Sequence, residues 1–354
     1  MTTPSNIPTT CSCPKVAYST EAAASVAMRA QAVAGDTDNC RAYECPDCKA
    51  WHLTSQPLPP VWAGVPKAAV LENVSEANYE KAPGCRATYL KHLRRSPRHL
   101  LAYLNRTADD DTESLTVGSY VHAMLFRPQE CAKRFHVTPD AAGSDGDVRK
   151  QRKLDKEFAK ASGLRLITQS DVATAGALVQ SVSADPYLSS LLLRQGRPEL
   201  TLCWLDAETQ LPCKCRLDFL IEDDSGLIVV DLKTTRDARM RPFRSDAAKL
   251  GYWLQLGFYS LGIAACFPGK SVAFILVAAE LESRSSRIYE VLPQDVEQGA
   301  ALARRLMHKY KALQAVPQSE WPGYATQITP LPAPPWAFEE QNDERFGTAE
   351  ETDG

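Results

Sequence analysis

The sequence predicts an α/β chain, a central mixed sheet flanked by helices, with a small metal-binding module at its N-terminus. Three observations predict it. The segments LTLCWL, KCRLDFLIE and LIVVDLKTT follow one another across DAETQLP and DDSG, and read as a meander of three strands. Stretches of helical apolar spacing lie on both sides of that meander. Five cysteines (Cys11, Cys13, Cys40, Cys45, Cys48) crowd into the first 50 residues, where large apolar side chains are scarce.

Composition bounds the reading. At 354 residues the chain has room for one large domain and one small one, and its 44% hydrophobic content supports a sizeable core. The net charge of −3 argues against passive coating of nucleic acid, though not against a locally basic channel. No apolar run is long enough to span a bilayer and no signal core opens the chain, so a cytoplasmic protein with no membrane partner is expected. Eleven cysteines in that compartment point to metal rather than disulfides where they cluster.

The expected organisation is a module at 1–57, a Pro-rich linker at 58–66, the main domain at 67–325 and a Pro-rich, then acidic, tail at 326–354. In the module, Thr20–Ala34 reads as one Ala-rich helix. Cys45-Pro-Asp-Cys48 is a knuckle that points two thiolates at one metal, His52 lies four residues on, and a thiolate from Cys11 or Cys13 would complete a tetrahedral site suited to Zn²⁺. A piece this poor in apolar residues needs such a staple to fold. The stretch RAYECPDCKAWHLTS resembles small zinc-ribbon-like modules. That resemblance implies Cys45, Cys48 and His52 as ligands, with Cys13 as the fourth, Cys11 as its alternative, and Cys40 spare.

After the linker, VSEANY and Pro83-Gly84 form a turn-rich entry to a helical stretch, RATYLKHLRRSPRHLLAYL, broken near Pro97. Its Arg86, Lys91, Arg94, Arg95 and Arg98 either meet phosphate or form a solvated face. Leu115–Phe126 is a helix with Gly118 and His122 four apart on one face. Asp140–Lys153 reads as a polar loop, and Thr168–Ser183 as a helix capped by Thr168. Asp185-Pro186 opens another helix, and Glu199 stands just before the first sheet strand.

The chemistry concentrates in the hairpin. Asp231 and Lys233 are two apart on one strand and so share a face, while Asp218 lies on the neighbouring strand. Two carboxylates and a lysine brought together can hold a divalent cation and work on a phosphate. Cys213 and Cys215 read as packing. Arg236, Arg239, Arg241 and Arg244 follow at once as phosphate clamps. Asp246–Cys266 reads as one helix with Tyr252, Gln255 and Tyr259 on one face, and Val296–Leu313 as a closing helix.

Asp218 followed by Asp231-Leu-Lys233 on a hairpin resembles the core of PD-(D/E)xK nucleases. The forms CRLDFL and VVDLKTT, the entry VSEANY…PG…SPRHLLAYL, the segment GSYVHAMLFRP and Gln255-Leu-Gly-Phe-Tyr259 are similar to the exonuclease VIII (RecE-type) branch, over roughly residues 74–315. Leu217 departs from that branch, which has proline before the first aspartate. The resemblance implies a Mg²⁺ (or Mn²⁺) site at Asp218, Asp231 and the Leu232 carbonyl, with His122 and Glu199 as further contacts. It implies that Lys233 acts on the attacking water and that Gln255, Tyr259 and Tyr252 hold the substrate strand and orient the lysine. It also implies linear duplex DNA ends as substrate, resection in the 5′ to 3′ direction, a RecT-like annealing protein as partner, and a homo-oligomer such as a tetrameric ring.

Overall fold

The computed structural model describes residues 41–44, 51–54, 68–106, 113–141, 146–324 and 328–334. Among these residues there are ten strands: β1 (Arg41–Glu44), β2 (Trp51–Thr54), β3 (Ala68–Leu71), β4 (Phe135–Thr138), β5 (Arg165–Thr168), β6 (Gly196–Leu205), β7 (Pro212–Asp223), β8 (Gly226–Thr235), β9 (Val272–Glu280) and β10 (Ser285–Val291). β1 and β2 pair antiparallel, with Tyr43 opposite His52. Cys11, Cys13, Cys40, Cys45, Cys48 and the Thr20–Ala34 segment lie outside the described residues, as do 335–354.

The central sheet has the order β10-β9-β8-β7-β6-β3. The expected meander is its middle, β6, β7 and β8 running antiparallel, and β9 then pairs parallel to β8. The sheet is therefore mixed. β8 is interior and carries the near-continuous apolar run that burial on both faces requires.

Helices cover both faces. One core joins Leu202, Trp204, Val229 and Phe274 of the sheet to Leu90 and Leu93 (helix Ala87–Arg95), Phe258 (helix Tyr252–Cys266) and Met307 (helix Pro293–Leu313). The other joins Ile221, Val230, Leu232 and Val277 to Val121 and Phe126 (helix Glu113–Phe126), Leu178 (helix Gln169–Ala184) and Leu188 (helix Pro186–Leu192). Each such side chain taken fully from water contributes about 1.5–3 kcal/mol. Cys213 and Cys215 are buried in the first core, as packing.

The helix ends follow local chemistry. Thr168 and Asp185 accept backbone N–H bonds at the starts of their helices, and Ser96 does the same where Pro97 begins Pro97–Leu104. Glu76–Lys81 is a helix where the sequence suggested only a turn. Its C-terminal end is capped by Lys214, a side chain buried to 1% exposure whose ammonium donates to the carbonyls of Tyr79 and Ala82.

Two expectations are corrected. Asp246–Cys266 is two helices, Met240–Leu250 and Tyr252–Cys266, because Gly251 adopts φ 70 and ends the first in the left-handed region. The Asp140–Lys153 loop is instead largely helix, since Gly146–Ser162 spans Arg149–Lys153. That helix buries only Asp155 and Ala159, and Asp155 is held by Thr138, His136 and Gln151. So small an apolar face leaves no strong periodic signal.

The β7–β8 turn stores a pH dependence. Asp223 accepts from Ser225 and Gly226 backbone N–H groups and pairs with Arg194. The Ser225 hydrogen bonds, then Arg194, lower its carboxyl from 3.8 to about 2. A depressed carboxylate stabilises the fold above its unfolded pKa, and that contribution is lost as pH falls through the folded value. Acid titration followed by circular dichroism is expected to show the wild type losing stability relative to Asp223→Asn between about pH 4 and 2. Parallel curves for the two proteins would contradict the assignment.

Candidate active site

The site forms where β7 and β8 part. Their pairing ends at Phe219↔Val230, one residue short of Asp218 and Asp231. Leu217 belongs to one core and Phe219 to the other, although residues two apart on a regular strand share a face. β7 therefore kinks at Asp218. On β6, Glu199 has φ 46 and lies between Pro198 and Leu200, whose partners Phe219 and Leu217 flank Asp218. The Leu232 N–H is taken by the Asp218 carboxylate at 2.9 Å. The acids thus sit inside the sheet, not at its edge, in a gap reached from both helical layers.

Asp231 is fully buried. Its Oδ1 accepts from Gln255 Nε2 at 3.2 Å, and the same amide nitrogen donates to Tyr259 Oη at 2.8 Å. Its Oδ2 takes the Lys233 ammonium as a close ion pair. The ion pair sets the charge balance, and a single partner does not use up the lone pairs of a carboxylate oxygen.

From the other layer His122 brings Nδ1 to 3.4 Å from Asp218 Oδ2. Gly118 makes this possible. A Cβ there would stand 3.0 Å from Thr234 Oγ1, so its absence lets the helix lie close on β8 one turn before His122.

The electrostatics follow from burial. Desolvation raises the Asp218 carboxyl above the usual carboxylate range, and Asp231 adds to this, while His122 opposes it. Burial works against the Lys233 charge, but Asp231 and then Asp218 outweigh it and hold the ammonium above its ordinary pKa. Burial also raises the Tyr259 phenol, so it stays protonated.

Residues 87–331, more than half of the chain, match the family described as a PDDEXK-like domain of unknown function (DUF3799). The chain belongs to this family. Among solved structures, the chain is similar to a crystal structure of a candidate exonuclease from Eubacterium rectale, at 13% identity and a TM-score of 0.47, covering 75% of this chain and 98% of that one. It is also similar to the crystal structure of a protein named SSO0001, at 14% identity and a TM-score of 0.25, covering 56% and 94%. No curated protein matches. Membership of the PDDEXK-like family supports a nuclease, and no helix among the described residues is long and apolar enough to cross a membrane.

The gap between β7 and β8 draws together Asp218, Asp231, Lys233, His122, Gln255 and Tyr259. It does not draw in Glu199. Arg127 at 3.4 Å and Arg134 at 3.1 Å take up that carboxylate, and Arg134 also pairs with Glu76. The left-handed backbone at Glu199 accompanies this pairing, which strand position alone could not reveal. Tyr252 is buried to 8% exposure, with the Lys233 ammonium 5.3 Å from its ring centre. Arg236, Arg239, Arg241 and Arg244 are all exposed, and Arg239 is tied to Asp237 at 2.6 Å. His52 lies on β2.

One residue gave no distinguishing sign in the sequence. Lys91, one of five basic residues in its segment, enters the site and donates to Gln255 Oε1 at 2.6 Å.

The side chains suit a hard divalent cation. Two carboxylates meet at the gap, and the buried Asp231 Oδ2 has the Lys233 ammonium as its partner. Among the described residues no three His, Cys, Asp or Glu side chains close a complete cage. Mg²⁺ tolerates such a site because it keeps several waters and takes one or two carboxylates plus phosphate oxygens.

Proposed function

We propose that the protein is a Mg²⁺-dependent (or Mn²⁺-dependent) deoxyribonuclease of RecE type that resects linear duplex DNA from its ends in the 5′ to 3′ direction. The observation that carries this reading is the convergence of Asp218, Asp231 and Lys233 in the gap between β7 and β8, with Asp231 fully buried and its Oδ2 ion-paired to Lys233.

Asp218, Asp231 and the Leu232 carbonyl would hold the cation. When bound, it supplies Lewis-acid polarisation of the phosphate and a more acidic water. The other tasks fall to the chain. Lys233, held protonated by its two acids, donates toward charge developing on the phosphate rather than serving as a strong base. Gln255 fixes Asp231 through Oδ1, and Tyr259 holds the Gln255 amide. His122 steadies Asp218. Glu199 would join the cation only by leaving its arginines. Tyr252 and the exposed Arg236, Arg239, Arg241 and Arg244 contact the DNA backbone.

The same reading takes in the rest of the chain. Zn²⁺ is held by Cys13 (or Cys11), Cys45, Cys48 and His52. The enzyme is a homo-oligomer, such as a tetrameric ring, in the cytoplasm, and hands its 3′ strand to a RecT-like annealing protein.

The test is degradation of end-labelled linear duplex DNA. Early release of 5′ label with Mg²⁺, none with chelator, and no attack on closed circles are expected. No degradation at protein in excess over ends would reject the enzyme in favour of a non-catalytic DNA-binding or assembly factor. Early loss of 3′ label would reverse the direction.

A further inference from the structure

Helix Ala87–Arg95 buries Leu90 and Leu93 fully, and Lys91 between them crosses to helix Tyr252–Cys266. Its stem runs over Gly251, where a Cβ would stand 3.3 Å from Lys91 Cγ. Its ammonium then reaches Gln255 Oε1 at 2.6 Å and lies 5.5 Å from the centre of the Tyr252 ring. The Lys233 ammonium lies 5.3 Å from the same ring. Two cations therefore lie against one aromatic ring. Lys233 has Asp231 as its partner, whereas among the described residues Lys91 makes no ion pair with a carboxylate.

We propose that Lys91 is a second phosphate-binding cation of the site, set beside Lys233 to hold the DNA backbone at the Asp218–Asp231 pair. The proposal rests on the nuclease reading above and adds a residue to it.

An ammonium has three donors and no acceptor, and Gln255 takes one of them. A half-buried cation with no ion-pair partner of its own is costly, and an arriving anion relieves that cost. In the free protein burial and then Lys233 push the Lys91 amine down to about 7, with Asp231 opposing them. The anion available at a nuclease site is a backbone phosphate, and an ammonium meets it as a point charge.

The alternative is a purely internal role. As a pure donor, Lys91 forces the Gln255 oxygen toward itself and the Gln255 NH₂ toward Asp231 and Tyr259. The two roles differ in their salt dependence. A lost phosphate contact lowers the slope of log affinity against log salt by about one, and a lost internal hydrogen bond does not.

The experiment uses the full chain and a labelled linear duplex. Binding is measured in chelator over about 50–300 mM salt, and kcat and KM are measured with Mg²⁺, for wild type, Lys91→Met and Lys91→Arg. Lys91→Met is expected to bind about tenfold more weakly with a slope reduced by about one, and to raise KM more than it lowers kcat. Lys91→Arg, which keeps the charge, restores the slope. An unchanged slope and KM in a folded Lys91→Met protein, with or without lowered kcat, overturns the proposal while leaving the nuclease intact. A wild type that neither binds nor cleaves DNA overturns the nuclease reading and this proposal with it. Should Lys91→Met fail to melt cooperatively, Lys91→Gln, neutral and with a donor for Gln255, is read by the same criteria.

Discussion

Asp231→Asn is expected to lower Mg²⁺-dependent degradation of linear duplex DNA by about 10³-fold or more, as losing about 4 kcal/mol of transition-state stabilisation requires. The side chain is fully buried and does two things at once. Oδ1 receives the Gln255 amide, and Oδ2 carries the charge opposite Lys233. Asparagine keeps the shape and one acceptor but removes the charge that would bind the cation. Alanine should be as inactive and less stable, because it also leaves the Lys233 ammonium buried beside an empty space. Breaking a buried pair in this way costs about 3–5 kcal/mol. Initial rates with thermal melts separate the two effects. An Asp231→Asn enzyme within tenfold of wild type would show that the reacting centre lies elsewhere.

Lys233→Met is expected to lower kcat by about 10²–10⁴-fold with a smaller change in KM. The group is held charged by two carboxylates, and on the proposed reading it acts where phosphate charge develops. Its removal also leaves Asp218 and Asp231 without their ammonium. The variant should therefore melt below wild type in chelator and recover on adding Mg²⁺, since a divalent cation replaces the lost charge. A rate close to wild type would assign the stabilising charge to another group. A melting temperature that ignores Mg²⁺ would argue that the acids do not bind it.

Much of this site is legible along the chain, and the reasons are local. The hairpin of β7 and β8 declares itself through a buried apolar run, a turn built by Asp223 and Gly226, and a strand period that places Asp231 and Lys233 on one face. Helical spacing of four puts Gln255 with Tyr259, and Gly118 with His122. Other features depend on contacts far apart in sequence. Gly251 reads as one more helical residue until its positive φ divides the two helices and opens room for the Lys91 stem. Glu199 is drawn away by Arg127 and Arg134, which come from beyond the end of a helix some 70 residues earlier.

By itself, then, the sequence determined which strand or helix holds most of the residues that meet in the gap, because side-chain periodicity and turn preference are properties of short segments. Only the tertiary structure decided how they meet. The kink of β7 at Asp218, the parting of β7 from β8 beyond Phe219 and the entry of Lys91 beside Lys233 arise from competition among packed layers. Two cores claim Leu217 and Phe219 from opposite faces, and a strand that must serve both has to break its alternation between them, at the carboxylate.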